Sequence, residues 1–163
     1  MHKMILIDIE KCGGCRTCET ACSWSHEKGV FNPRRGMISV IKKEKEGSNT
    51  PFMCLQCEEP FCMEVCPVKA ISVDETTGAK IVDPDRCIGC KMCVIACPFG
   101  GVAFDSRISR VVKCDFCKDK GEPQCVKWCP KEVLQYIDVD QAGLIKKSLG
   151  IKKLVDFSGG LDS

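Results

Sequence analysis

Apolar residues along this chain come in short alternating runs, not in long helical periods. ILIDIE near the N-terminus and KIV after Ala79 are β-prone and end in acidic and basic residues. CPVKAISVD, CPFGGVAFD and CPKEVLQYID each read as a turn followed by an alternating strand that ends in Asp. RRGMISVIKKEKEG, from Arg34 to Gly47, reads as a solvated basic hairpin, with docking to an acidic partner as the sharper alternative. The pattern changes after Ile137. Leu144, Ile145, Leu149, Ile151, Leu154 and Val155 then suggest amphipathic helical pieces broken near Gly150. The repeating unit is strand, loop, short helix, strand, and such self-similarity points to duplicated modules.

What fills the loops is cysteine. The chain has 163 residues, 16 of them cysteines. With these set aside, only about a third of the chain is apolar, and aromatics are 6%. So small an apolar set makes a poor core, which calls for cross-links or metals. The N-terminus MHKMILIDIEKC lacks the apolar stretch and cleavage site of a signal peptide, and Arg34-Arg35 precedes no apolar region. No run approaches the roughly 18 apolar residues of a membrane span. The expectation is a cytoplasmic chain, where cysteine patterns read as metal or redox sites and not as disulfides.

The cysteines form four sets of four: Cys12, Cys15, Cys18 and Cys22; Cys54, Cys57, Cys62 and Cys66; Cys87, Cys90, Cys93 and Cys97; Cys114, Cys117, Cys125 and Cys129. The first and third have the C-x2-C-x2-C-x3-C spacing that holds cubane iron–sulfur clusters. Cysteines three apart on a tight loop converge on one cluster. The fourth, expected at the start of a short helix, serves the other cluster of its pair. Gly13, Gly14 and Gly89 let the backbone curl and free N–H groups for the sulfurs. Pro67, Pro98 and Pro130 follow three of the fourth cysteines, while Ser23 follows Cys22. The second and fourth sets have longer spacers, compatible with a cubane in altered surroundings. Zinc is the rival reading, because C-x2-C pairs also make zinc sites. Three thiols in seven residues, twice, favour iron and sulfide.

The formal charge of +2 invites a nucleic-acid reading. Four oxidised clusters at about −2 each would turn the balance to about −6, which repels phosphates. His26 reads first as a surface or capping residue, with cluster tuning as the alternative. Trp24 and Trp128 lie close to Cys22 and Cys129 and are expected to pack against clusters. No phosphate loop, Ser/His/Asp constellation or carboxylate pair offers catalysis. The expected role is non-catalytic.

Spanning Cys12 to Cys129, the four sets resemble the four-cluster ferredoxin-like electron-transfer subunits of pterin oxidoreductase complexes. The segment from Ala21 to Val40, ACSWSHEKGVFNPRRGMISV, resembles small subunits that accompany tungsten aldehyde:ferredoxin oxidoreductase-type enzymes, class II benzoyl-CoA reductase relatives included. It departs from them in the arginine and glycine that follow Pro33.

The resemblance implies an α+β fold of tandem, intertwined bacterial-ferredoxin-like modules with a C-terminal helical tail. One cluster takes Cys12, Cys15, Cys18 and Cys129; its mate takes Cys114, Cys117, Cys125 and Cys22. The inner pair takes Cys54, Cys57, Cys62 with Cys97, and Cys87, Cys90, Cys93 with Cys66. Residues 1–45 with 110–138 would form the outer half, 46–109 the inner half, and 139–163 a partner-docking tail. It further implies four 4Fe-4S clusters in a hetero-oligomer. One partner would be a tungsten or molybdenum pterin enzyme, the other a ferredoxin or a nicotinamide- or flavin-binding subunit. A hydrogenase, carbon monoxide dehydrogenase or formate dehydrogenase complex is the alternative setting.

Overall fold

The computed structural model describes residues 2–27 and 29–158, with side chains through 148. It is a small α+β arrangement of four two-stranded antiparallel sheets, each flanked by short helices. Three sheets are local hairpins: β2 (Ile38–Lys43) with β3 (Ser48–Met53), β4 (Ile71–Val73) with β5 (Lys80–Val82), and β6 (Val102–Asp105) with β7 (Arg110–Lys113). The remaining sheet joins the two ends of the cysteine region. β1 (Lys3–Ile7) runs against β8 (Leu134–Asp138), in register from Lys3–Asp138 to Ile7–Leu134.

Alternation sets which way each strand faces. Ile38 and Val40 of β2 point into the interior, while Ser39 and Ile41 face solvent. Two cations of the basic hairpin are paired. Arg35 Nη1 lies 2.9 Å from Glu27 Oε2, and Lys43 Nζ lies 3.0 Å from Glu46 Oε2.

Four helices carry cysteines: α1 (Thr17–His26), α2 (Phe61–Glu64), α3 (Met92–Ala96) and α4 (Gln124–Lys127). Each begins beside the third cysteine of its set. The sequence reading put the fourth cysteine at a helix start. In the structure Cys66, Cys97 and Cys129 instead lie just past a helix end, because the residue before proline disfavours the α region. Ser23 imposes no such stop, so α1 runs on through Cys22 to His26.

Buried residues gather in two centres. The first comprises Cys18, Cys22, Ile38, Val40, Met53, Cys125, Val133 and Leu134, contributed by both ends of the cysteine region. The second comprises Ile71, Cys93, Val102 and Val111, from its middle. The carboxylate of buried Glu19 ties α1 to β2 by accepting the Val40 N–H at 2.6 Å.

α5 (Val139–Ser158) is one continuous helix, without the break expected near Gly150. A glycine costs a helix about 1 kcal/mol but does not end it. Among its described side chains Leu144 is exposed. Leu149, Ile151, Leu154 and Val155 lie outside the described side chains, and residues 159–163 outside the described residues.

Candidate iron–sulfur centres

The thiols converge in four groups. Cys12, Cys15, Cys18 and Cys129 line a cavity of about 150 Å³ together with Thr17, Val40 and Leu134. Cys54, Cys57, Cys62 and Cys97 line a second hollow, and Cys66, Cys87, Cys90 and Cys93 another. Cys22, Cys114, Cys117 and Cys125 form the most enclosed group. Burial pushes Cys114, Cys117 and Cys125 up, and the charge of Cys22 adds to the rise at each.

Packing gives the groups a definite order. Cys12, Cys18, Cys22, Cys125 and Cys129 share the first buried centre, Cys62, Cys87, Cys93 and Cys97 pack in the second, and Gln56, between Cys54 and Cys57, reaches Cys114 O from one to the other. The groups therefore stand in a row: the Cys12 group, the Cys22–Cys114 group, the Cys54 group and the Cys87 group. Each end of the row has one exposed cysteine, Cys15 and Cys90.

Local backbone geometry explains the convergence. Two residues after the first cysteine of every set the chain takes a left-handed conformation: Gly14 (φ 69), Gln56 (φ 53), Gly89 (φ 69) and Phe116 (φ 58). The turn swings the second cysteine back toward the first. Glycine adopts it freely, whereas Gln56 and Phe116 need compensation. Gln56 gets it from hydrogen bonds: its Nε2 donates to Cys114 O at 2.5 Å, and its Oε1 accepts the Lys80 N–H at 2.7 Å. Phe116 is buried with its ring edge-on to Tyr136, centroids 5.4 Å apart.

At Gly89 an added Cβ would collide with the Ser109 carbonyl oxygen, whereas at Gly47 (φ 63) it would meet nothing within 4 Å. Gly89→Ala should therefore destabilise the iron-loaded protein by at least about 2 kcal/mol, against about 1 kcal/mol for Gly47→Ala. Anaerobic thermal denaturation of the two variants measures the difference.

The fourth cysteine of each set has its own support. Ala70, Gly101 and Val133 donate their backbone N–H to the Sγ four residues earlier, on Cys66, Cys97 and Cys129, at 3.2, 3.3 and 3.3 Å. Cys22 lies inside α1, where the corresponding N–H is used by the helix. Its Sγ takes the Met37 N–H instead, at 3.2 Å. Such donors stabilise thiolate charge.

The donor set fits iron. Burial pushes the Cys18 thiol up to about 12 and Cys93 up to about 11, so these are not activated nucleophiles. They become thiolates when a cation stands among them. Cys15 is lowered, chiefly by the Thr17 hydroxyl 3.4 Å from its sulfur.

His26 is more than a surface residue. Its Nδ1 faces Cys22 O at 2.9 Å and its Nε2 faces Asp115 Oδ1 at 3.0 Å. Both partners are acceptors, so the ring is held as imidazolium. Its pKa is raised to about 11, first by Asp115 and then by Cys22. His26 caps the end of α1 and sets a positive charge beside the Cys22–Cys114 group. Trp24 and Trp128 stack on each other, centroids 5.4 Å apart at 34°, and bridge α1 and α4.

Sequence reasoning overlooked Gln56, Lys80 and Lys113. One signal was present: CLQC carries Gln where the first and third sets carry Gly. Nothing local marks either lysine as buried.

Comparison with known proteins agrees with this chemistry. Residues 46–139 match the family described as 4Fe-4S dicluster domain. The polyferredoxin-like subunit of an aliphatic sulfonate oxidoreductase from Pyrococcus furiosus is 43% identical over 125 residues, 77% of this chain and 70% of that protein. The electron transport protein HydN of Escherichia coli is 38% identical over 165 residues, 85% of this chain and 89% of its own. A chain of the BamBC active site complex of benzoyl coenzyme A reductase, with 1,5-dienoyl-CoA, superposes with a TM-score of 0.50 at 27% identity, covering 83% of this chain and 75% of its own. Among the described residues no helix is long and apolar enough to cross a membrane. With its thiols in converging groups of four and its cofactors 4Fe-4S clusters, this chain belongs to the 4Fe-4S dicluster, ferredoxin-like family of electron-transport subunits.

Proposed function

We propose that the chain is the non-catalytic relay subunit of a cytoplasmic hetero-oligomeric oxidoreductase. It would join a tungsten or molybdenum pterin enzyme of the aldehyde oxidoreductase type to a ferredoxin or to a nicotinamide- or flavin-binding subunit. One cluster is held by Cys12, Cys15, Cys18 and Cys129, and the next by Cys22, Cys114, Cys117 and Cys125. The third is held by Cys54, Cys57, Cys62 and Cys97, and the fourth by Cys66, Cys87, Cys90 and Cys93. When bound, each cluster takes up and releases one electron, so a row of four relays charge between its ends.

The observation that carries this reading is the row of thiol groups with one exposed cysteine at each end. The sulfonate oxidoreductase and benzoyl coenzyme A reductase relatives favour a partner that reduces or oxidises an organic substrate. The protein's own work is to hold the thiolates, donate N–H groups to them and keep water from the middle of the row.

Residues 1–45 with 110–138 form an outer ferredoxin-like half, and 46–109 an inner half threaded between its two parts. Pairing of β1 with β8 supports that interleaving. The β2–β3 and β6–β7 hairpins straddle the two seams and stitch the halves together. The tail, 139–163, docks the partner.

Elemental analysis of the complex isolated anaerobically through this chain tests the reading. The expected result is about 16 iron and matching sulfide from this subunit, with tungsten or molybdenum beside them. Nickel in their place would move the chain to a hydrogenase or carbon monoxide dehydrogenase. Zinc with little iron would overturn the relay.

A further inference from the structure

Two lysines are buried where a charge is least expected. Lys80 of β5 is 3% exposed and Lys113 of β7 is 5% exposed. Neither makes an ion pair with a carboxylate among the described residues. Their ammonium groups reach only neutral oxygens. Lys113 Nζ donates to Gln56 Oε1 at 3.2 Å and to Lys80 O, and Lys80 Nζ to Gln56 O at 3.5 Å. A buried charge without a counter-charge is costly to keep.

Both lysines line the same hollow as Cys54, Cys57, Cys62 and Cys97. The hollows of the two end groups are lined by cationic side chains too, Arg16 with Lys131 and Lys91, but these three are exposed and screened by water. At the Cys22–Cys114 group the charge of His26 is offset by Asp115, 3.0 Å away. The Cys54 group therefore has two desolvated positive charges without carboxylate partners at its wall, and these act at low local dielectric.

We propose that Lys80 and Lys113 are the counter-ions of the cluster held by Cys54, Cys57, Cys62 and Cys97, and that they make it the most oxidising site of the row. This rests on the ligand assignment proposed above. An oxidised cluster with four thiolates carries about −2, and reduction adds one more negative charge. Nearby fixed positive charge favours the more negative, reduced form. An electron entering from either end comes to rest on this third site, so the relay has a storage step inside it and not a uniform slope. Gln56 is the positioning residue, since its carbonyl and side-chain oxygens hold both ammonium groups in place.

The test is a reductive titration of the anaerobically purified holoprotein, followed by electron paramagnetic resonance, with iron counted in each sample. Lys113→Gln keeps a hydrogen-bond donor and removes the charge. The first cluster to reduce should become at least tenfold harder to reduce, a drop of about 59 mV for one electron, while the other three stay in place. Lys42→Gln, exposed on β2 and lining none of the thiol hollows, should move none of them. If Lys113→Gln loses iron, Lys80→Gln carries the test with the same expected direction. Full iron with an unmoved first potential in the variant that keeps its iron overturns the counter-ion role. A wild-type chain without about 16 iron overturns the ligand assignment instead.

Discussion

Cys114→Ala should lower bound iron from about 16 to about 12 per chain and interrupt electron passage between the two exposed ends. Cys114 belongs to the second group of the row, which lies between the Cys12 group and the Cys54 group. Loss of end-to-end transfer should therefore exceed the 10–100-fold, roughly, that removal of an outer partner costs a metal site. Cys90→Ala provides the contrast. It lies at the exposed end, so it should cost similar iron yet leave the other three groups able to exchange electrons. Anaerobic stopped-flow reduction with a small dye, read alongside iron content, separates the two variants. Equal rates in Cys114→Ala and wild type would sink the single-file order.

Removing the iron with an anaerobic chelator should abolish cooperative unfolding of the chain. The reason lies in what the two centres are made of. Cys18, Cys22 and Cys125 stand among the buried residues of the first, and Cys93 among those of the second. Without clusters, little apolar surface remains to order short hairpins and helices of four or five residues. Binding energy at a structural metal site, on the order of 10 kcal/mol, is comparable to the whole stability of a domain.

Alkali should loosen the residual fold of the apo chain further. Burial raises Cys18 from 9.0 to about 12 and Cys93 from 9.0 to about 11. Between those limits the unfolded chain releases protons that the folded chain retains, so stability falls as pH rises through this window. The loaded protein, whose thiols have already given up their protons to iron, should not show that slope. Circular dichroism melts of apo and loaded protein between pH 7 and 11 make the comparison. A sharp transition in the apo chain would mean that side-chain packing alone holds the fold.

Much of this was readable from residue spacing. The short runs before the first and third cysteine sets and after the second, third and fourth became strands. Spacing along the chain sorted the cysteines into four sets, while the exchange of fourth cysteines between sets was what the family resemblance implied. Where the reading missed, local backbone effects decided. Cys66, Cys97 and Cys129 lie past helix ends because α2, α3 and α4 begin beside the third cysteine and proline closes each within about one turn, while Cys22 stays inside α1. Spacing also did not show that Trp24 and Trp128, far apart in sequence, meet across α1 and α4. α5 ran through Gly150, where an isolated glycine weakens a helix but leaves its hydrogen bonds intact.

By itself the sequence determined the cluster chemistry, the repeating unit and the family, since all three depend on residues within a few positions of one another. Only the tertiary structure decided the row of thiol groups, the exposed cysteine at each end, the imidazolium at His26 and the two buried ammonium groups beside Cys54. Each of these depends on burial and on contacts between distant segments, such as Gln56 with Lys113 or His26 with Asp115. Local spacing says nothing of such contacts, because whether a charge faces water or a thiolate is settled when the two ends of the chain close through β1 and β8.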